Sequence, residues 1–165
     1  MPKKIKWVCS IFTIGFLVMA CDSKRVFDSY KTLPNQWHKD SIASFKVASP
    51  DTLFAYNLYI NVRANNEYKY NNLFLIAEMN YPNGKAVTDT LEYKMAAPNG
   101  ALLGKGFSDV KESKLWYKGF DKEFKFEESG EFTINLQHAM RASGRLNGID
   151  ALDGITEIGF RVEKK

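Results

Sequence analysis

Period-two alternation of apolar and polar residues recurs along this chain and narrows its fold more than any other feature. Leu58, Ile60 and Val62 alternate with Tyr59, Asn61 and Arg63. Phe132, Ile134 and Leu136 alternate with Glu131, Thr133, Asn135 and Gln137, the cleanest such segment; Ile158, Phe160 and Val162 alternate with Glu157, Gly159 and Arg161. Successive side chains of a strand point to opposite faces, so each segment reads as a strand with one face in a core. Leu73-Phe74-Leu75-Ile76-Ala77 is apolar throughout, as a strand covered on both faces would be. Val87 to Lys94 alternates more weakly, Lys114-Leu115-Trp116-Tyr117-Lys118 is a short aromatic strand, and Glu123-Phe124-Lys125-Phe126 is a further candidate.

Turn signals separate these runs. Asn83-Gly84 lies between the strands at 73–77 and 87–94 and predicts an antiparallel hairpin, and Pro98-Asn99-Gly100 marks the next turn. Leu102-Leu103-Gly104-Lys105-Gly106-Phe107 is glycine-broken and suits an edge or a bulge. Ile149 to Asp153 reads as one helical turn closed by Gly154. About eight short strands and no long amphipathic helix predict an all-β fold, an antiparallel β-sandwich with Greek-key or jelly-roll connections; a closed barrel is the alternative. The expected organisation is a signal segment at 1–20, a tether at 21–36 with Val26, Phe27 and Tyr30 packing down, and a sandwich domain at 37–165.

The signal assignment rests on Lys3, Lys4 and Lys6, followed by an almost uncharged apolar run from Trp7 to Ala20. A basic start, a short apolar core and a small residue at the boundary describe a secretory signal peptide. The run is shorter than the ~20 residues that a spanning helix needs. Val18-Met19-Ala20-Cys21 has the form of a bacterial lipobox, in which the chain is cut before Cys21 and Cys21 carries lipid, palmitate among its acyl groups. Several acyl chains together anchor a protein stably, where one alone does not.

Excision of the signal changes the charge reading. Three of the 23 Lys and Arg leave with it, and the 20 that remain face 19 Asp and Glu. No basic surface of the kind nucleic acid requires survives, so nucleic acid is not an expected partner. The two cysteines are Cys9, inside the signal, and Cys21. With Cys21 acylated, the mature chain has no thiol nucleophile, no disulfide and no Cys-ligated zinc. His38 follows Trp37 at a strand start, and His138 continues the alternation of 132–136. Neither has Cys or clustered Asp/Glu at ligand spacing, so no metal and no cofactor is expected. No Gly-x-Ser-x-Gly elbow and no EF-hand pattern occurs; Glu127, Glu128 and Glu131, and Asp150 and Asp153, read as solvated acidic turns. Trp37 and Trp116 are expected in the core, leaving Tyr117 as the better exposed aromatic. An exposed aromatic on a sandwich suits sugar stacking, so a lipid-anchored glycan-binding module is the alternative function.

Several of these segments, taken in order, resemble a known family. They are the lipobox at Cys21, Asn35-Gln36-Trp37-His38-Lys39-Asp40-Ser41, Asn72 to Ile76, Tyr81-Pro82-Asn83-Gly84-Lys85, and Asp89-Thr90-Leu91-Glu92-Tyr93. Asp109-Val110-Lys111-Glu112, Lys114-Leu115-Trp116-Tyr117 and Gly154 to Arg161 complete the series. The chain resembles the gliding motility lipoprotein GldH family of the Bacteroidetes. The resemblance implies a membrane-anchored component of the gliding machinery, bound to the membrane through lipid on Cys21 and to other machinery proteins. It implies no enzymatic activity and transfers no catalytic residue; Cys21 alone carries over, as the acylated position. In that lineage acidic residues after the lipidated cysteine mark export to the cell surface. Here Asp22 is followed by Ser23, Lys24 and Arg25, which implies a domain facing the periplasm.

Overall fold

A computed structural model describes residues 22–106, 108–142, 144 and 147–165. The strands are β1 (Arg25–Thr32), β2 (Gln36–His38), β3 (Ala43–Ala48), β4 (Tyr56–Ala64), β5 (Asn72–Asn80), β6 (Ala86–Lys94), β7 (Lys111–Lys118), β8 (Glu131–His138), β9 (Ala151–Asp153) and β10 (Ile155–Lys164). One four-stranded sheet has the order β1-β10-β4-β7, the other β3-β8-β5-β6, and β2 pairs with β9 in a small ribbon. All pairs are antiparallel. The pairing is nested: β5 with β6, β4 with β7, β3 with β8, and β1 with β10. Rolling such a nested ribbon into two sheets gives a jelly roll. The fold is therefore the expected all-β sandwich.

The alternating residues fill the space between the sheets. Leu58, Ile60, Val62, Phe160 and Val162 from one sheet, and Leu73, Leu75, Phe132, Ile134 and Leu136 from the other, are fully buried. Phe45 on β3 meets Phe160 on β10 across the layer, with ring centroids 6.0 Å apart. Each such side chain contributes about 1.5–3 kcal/mol by leaving water. The polar ends of the large buried residues are satisfied locally. Trp37 donates from Nε1 to the Ser41 carbonyl at 2.7 Å, and Tyr56 donates to the Asp51 carbonyl at 2.9 Å. The β5–β6 hairpin forms where Asn83-Gly84 predicts it, closed by a hydrogen bond from the Gly84 amide to the Tyr81 carbonyl at 3.0 Å.

Four local expectations are corrected. Arg25–Thr32, inside the stretch read as a tether, is β1, paired with β10 over its length. Its inward residues run Phe27-Ser29, too polar to signal a strand. It is held instead by Tyr30 on the outer face, whose ring lies across Gly159 so closely that a Cβ there would sit 2.7 Å from ring carbons. Ile149 to Gly154 is not a helical turn: Ala151–Asp153 is β9, and Leu152 packs fully buried opposite Trp37. Glu123–Phe126 is not a strand. Phe124 makes a single bridge to Tyr56, while Phe126 is buried against the rings of Tyr56 and Phe132. The fourth correction, at Trp116 and Tyr117, concerns a candidate site.

Both termini of the described domain lie at one end of the sandwich. The Lys164 amide donates to the Lys24 carbonyl at 2.8 Å. This end, where β1 and β4 begin and β7 and β10 finish, is termed proximal, and the opposite end distal.

Candidate functional site

The acylation candidate Cys21 lies outside the described residues, but its neighbour Asp22 does not. The Asp22 carboxylate is ion-paired with Arg161 on β10, and the Arg25 amide donates to the Asp22 carbonyl at 3.1 Å. The residue that follows the candidate anchor is thus fixed against the sheet.

The two histidines are placed as a structural reading predicts. His38 is half exposed, and its Nδ1 accepts from the Asp40 amide at 3.2 Å within its own turn. His138 is 3% exposed beneath the edge of Trp37, with centroids 5.5 Å apart. Burial holds the His138 pKa below the ordinary value. Backbone groups of Trp37 and Asp150 pull the other way but lie outside hydrogen-bonding geometry, and neither ring nitrogen has a partner among the described residues. A neutral imidazole sealed in this way is shut off from substrate. Four carboxylates of the acidic turns are engaged by neighbours. Glu128 accepts from Asn83 at 2.5 Å, Glu131 pairs with Lys46 at 2.9 Å, Asp150 pairs with Lys39 at 2.7 Å, and Asp153 accepts from Gln36 at 2.7 Å. Among the described residues, no group of three or more His, Cys, Asp or Glu is placed to hold a metal ion.

The two tryptophans divide. Trp37 is fully buried, but Trp116 is 40% exposed. Pairing explains the difference. Ser113 lies opposite Val62 and Leu115 opposite Ile60, both core residues, so Trp116 opposite Tyr59 faces out. Tyr117 returns to the inner side, against Phe160 at 6.3 Å, and donates its hydroxyl to Asp89 at 2.9 Å. The exposed aromatic is therefore Trp116, not Tyr117.

The outer face of the β1-β10-β4-β7 sheet carries a lattice of charges and rings that no local sequence pattern announces. Arg161 donates from Nη1 to Asp28 at 2.7 Å and from Nε to Glu163 at 2.6 Å, besides its pair with Asp22. Lys114 reaches Glu163 at 2.7 Å and lies 4.0 Å over the Tyr59 ring. Tyr59 packs on Trp116 at 4.4 Å and Trp116 on Phe120 at 5.3 Å. Nearer the distal end, Arg63 donates to Glu112 at 2.6 Å, pairs with Glu157, and lies 4.4 Å over the ring of Tyr30. These contacts follow from register, which sets Arg161 beside Asp28 and Arg63 beside both Glu112 and Glu157. Burial alone would raise the Glu163 carboxyl; Lys114 and Arg161 outweigh it and hold the group below the usual carboxylate range. A carboxylate so held stays ionised near neutral pH, and most of the lattice's charge is paired within the sheet. At the distal end a wide groove of about 770 Å³ opens beside Leu33, Asn35, Arg63, Lys105 and Glu112.

A model of the GldH lipoprotein family matches residues 25–162, beginning at β1 and ending in β10. A protein of Christiangramia forsetii named gliding motility lipoprotein GldH homolog is 53% identical over 154 residues, covering 93% of this chain and 92% of its own. The gliding motility lipoprotein GldH of Flavobacterium johnsoniae is 48% identical over 151 residues, covering 92% of each. Among solved structures, that of infectious bursal disease virus Gx strain covers 85% of this chain and 31% of its own at 11% identity and TM-score 0.23, a likeness that carries no argument. The family match and the two relatives span nearly the whole chain, and the chain belongs to the GldH lipoprotein family.

Proposed function

We propose that this chain is a non-catalytic component of the bacterial gliding machinery, acylated at Cys21, with its sandwich domain in the periplasm and working through contacts with other machinery proteins. The names of its relatives support the motility role. The observation that carries the non-catalytic reading is the fate of the chemistry-bearing side chains: the outer-face carboxylates and Glu128, Glu131, Asp150 and Asp153 of the acidic turns are engaged by basic or amide neighbours, and His138 is sealed. Support for the membrane anchor comes from the Ala20-Cys21 boundary and from Asp22, pinned to Arg161 one residue later. The Ser23-Lys24-Arg25 start supports the periplasmic side.

Deletion of the gene in a gliding host is expected to stop cell spreading, and the wild-type chain to restore it. Cys21→Ser is expected to take no fatty-acid label and not to restore it, because a domain released from the membrane loses the local concentration that anchoring gives its partners. His38→Ala, Glu128→Ala and Asp153→Ala are each expected to restore spreading. Abolished gliding from one of these three, at normal abundance and location, would reveal a chemical site and overturn the non-catalytic reading. The glycan-binding alternative has one observation in its favour, the exposed Trp116 ring beside Tyr59 and Phe120. Retention of the protein on bacterial polysaccharide, abolished by Trp116→Ala, would favour that alternative.

A further inference from the structure

Seven large apolar side chains are exposed among the described residues, and they are unevenly distributed. Ile42 and Leu103 belong to distal loops; Val26, Leu53, Phe54, Trp116 and Phe120 lie at or beside the proximal end. Leu53 is 78% exposed and Phe120 is 69% exposed, and their grouping with other apolar side chains at one end is what sets them apart. Their positions are fixed by the sheet. Across its proximal edge the order is β1, β10, β4 and β7, with Val26, Lys164, Phe54 and Phe120 at or just beyond the strand ends. With strands ~4.8 Å apart, this row is roughly 15 Å long. Phe120 is turned outward by Gly119, whose φ of 97° and close approach to the Tyr56 carbonyl exclude a side chain there. Lys164 lies 3.1 Å over the Phe54 ring and so covers one side of the row with an aliphatic stem and a charged head.

The row lies beside the anchor. Cys21 is covalently one residue from Asp22, so its Cα lies ~3.8 Å from that of a residue ion-paired to the sheet. A flexible tether would let the domain stand clear of the bilayer, but Asp22 and the strand that starts at Arg25 leave no such length. Acyl chains leaving Cys21 into lipid must hold the proximal end at the depth of the headgroups. From this we infer that Leu53, Phe54 and Phe120 insert into the interfacial region of the bilayer that holds the acyl chains, with Val26 and Trp116 at the flanks, so that the domain stands on the membrane by its proximal end in one orientation. The inference rests on acylation at Cys21. Lys24, Arg25, Lys122, Lys164 and Lys165 border or cross the patch, and Asp22, Asp51, Asp121 and Glu123 stand among them. The electrostatic pull toward anionic lipid is therefore weak, and the apolar side chains carry the contact. The outer-face lattice then rises from the membrane, and the distal groove points away from it.

The test uses the full chain, processed in cells, purified from membranes in detergent and reconstituted into phosphatidylethanolamine–phosphatidylglycerol liposomes. The mature chain has no cysteine besides Cys21, whose sulfur carries lipid, so Phe120→Cys provides a single labelling site for an environment-sensitive fluorophore. Asn99→Cys, in an exposed distal turn, is the control. In liposomes that float with the protein, the label at position 120 is expected to gain intensity several-fold, shift to the blue and be quenched by brominated lipid, with little change on adding salt. The label at position 99 is expected to do none of these. Adding Phe120→Asp to a Leu53→Cys protein should remove the response of the label at 53. Protein that floats while the label at 120 remains in water overturns the inference and leaves acylation standing, and so does an equal response at 99 and 120. Protein that neither floats nor takes a fatty-acid label overturns the acylation reading, and this inference with it.

Discussion

Tyr30 and Asn61 form the joint that fastens β1 to the rest of the sheet, and the joint can be taken apart one atom at a time. Asn61 is 2% exposed in the middle of β4. It donates from Nδ2 to the Tyr30 hydroxyl at 2.8 Å, while its Oδ1 is buried without a partner among the described residues. Tyr30→Phe keeps the ring over Gly159 and under Arg63 and removes only the oxygen. It leaves the Asn61 amide with neither group paired, a loss of about 1–3 kcal/mol for an orphaned buried donor. In a domain of this size each kcal/mol corresponds to about 2–4 °C at the midpoint. Replacing both partners by apolar groups is nearly neutral, so Asn61→Leu in the Tyr30→Phe background should recover most of that loss. The double variant can exceed the wild type, because the unpaired Oδ1 leaves with the amide. Urea unfolding of the four proteins gives the cycle. A cost for Tyr30→Phe below about 0.5 kcal/mol, the ordinary scatter of surface changes, would refute the reasoning. A double variant less stable than Tyr30→Phe would refute it equally.

Further outcomes follow from the same packing. Ile134→Asp places a carboxylate in the fully buried layer and should cost several kcal/mol in urea unfolding. Thr133→Asp, on the other face and opposite Lys46, should cost far less, and equal stabilities would sink the strand register. Phe160→Ala removes the ring that meets Phe27, Phe45 and Tyr117, and should cost about 3–5 kcal/mol by the same measurement. Burial, with Glu112 and Asp28 nearby, pushes the Tyr30 hydroxyl up to about 12 from an ordinary 10. The fold favours its neutral form, so this contribution to stability is complete below pH 10 and is lost as pH rises from 10 to 12. Alkaline unfolding, followed by circular dichroism with tyrosinate absorbance, should show a smaller loss over that window in Tyr30→Phe.

Much of the fold is legible in the order of the residues, because burial on one side of a strand writes a period of two into them. The runs at 58–62, 132–136 and 158–162 are strands facing one core for this reason, and Asn83-Gly84 marks a hairpin whose partners are neighbours in sequence. Fully buried Trp37 and half-exposed His38 are readable from their order at a strand start. Tertiary pairing sets the rest. β1 has no long apolar stripe of its own; it is held by its ladder with β10, by Phe27 against Phe160, and by Tyr30 over the bare backbone of Gly159, all far along the chain. β9 is three residues long and exists only opposite β2. Leu115-Trp116-Tyr117 can place either aromatic outward, and the alignment of Ser113 and Leu115 with Val62 and Ile60 makes the choice. The pairs Arg161–Asp28 and Arg63–Glu112 join residues 133 and 49 positions apart. No local pattern encodes such contacts, because they depend on which strands become neighbours when the nested ribbon rolls up. Residue order alone thus specifies the main strands, the polarity of their faces and the place of the lipobox pattern. That residues scattered from Val26 to Phe120 share the end of the sandwich next to Cys21 is a product of folding in three dimensions, because strand order and direction, not proximity along the chain, bring them there.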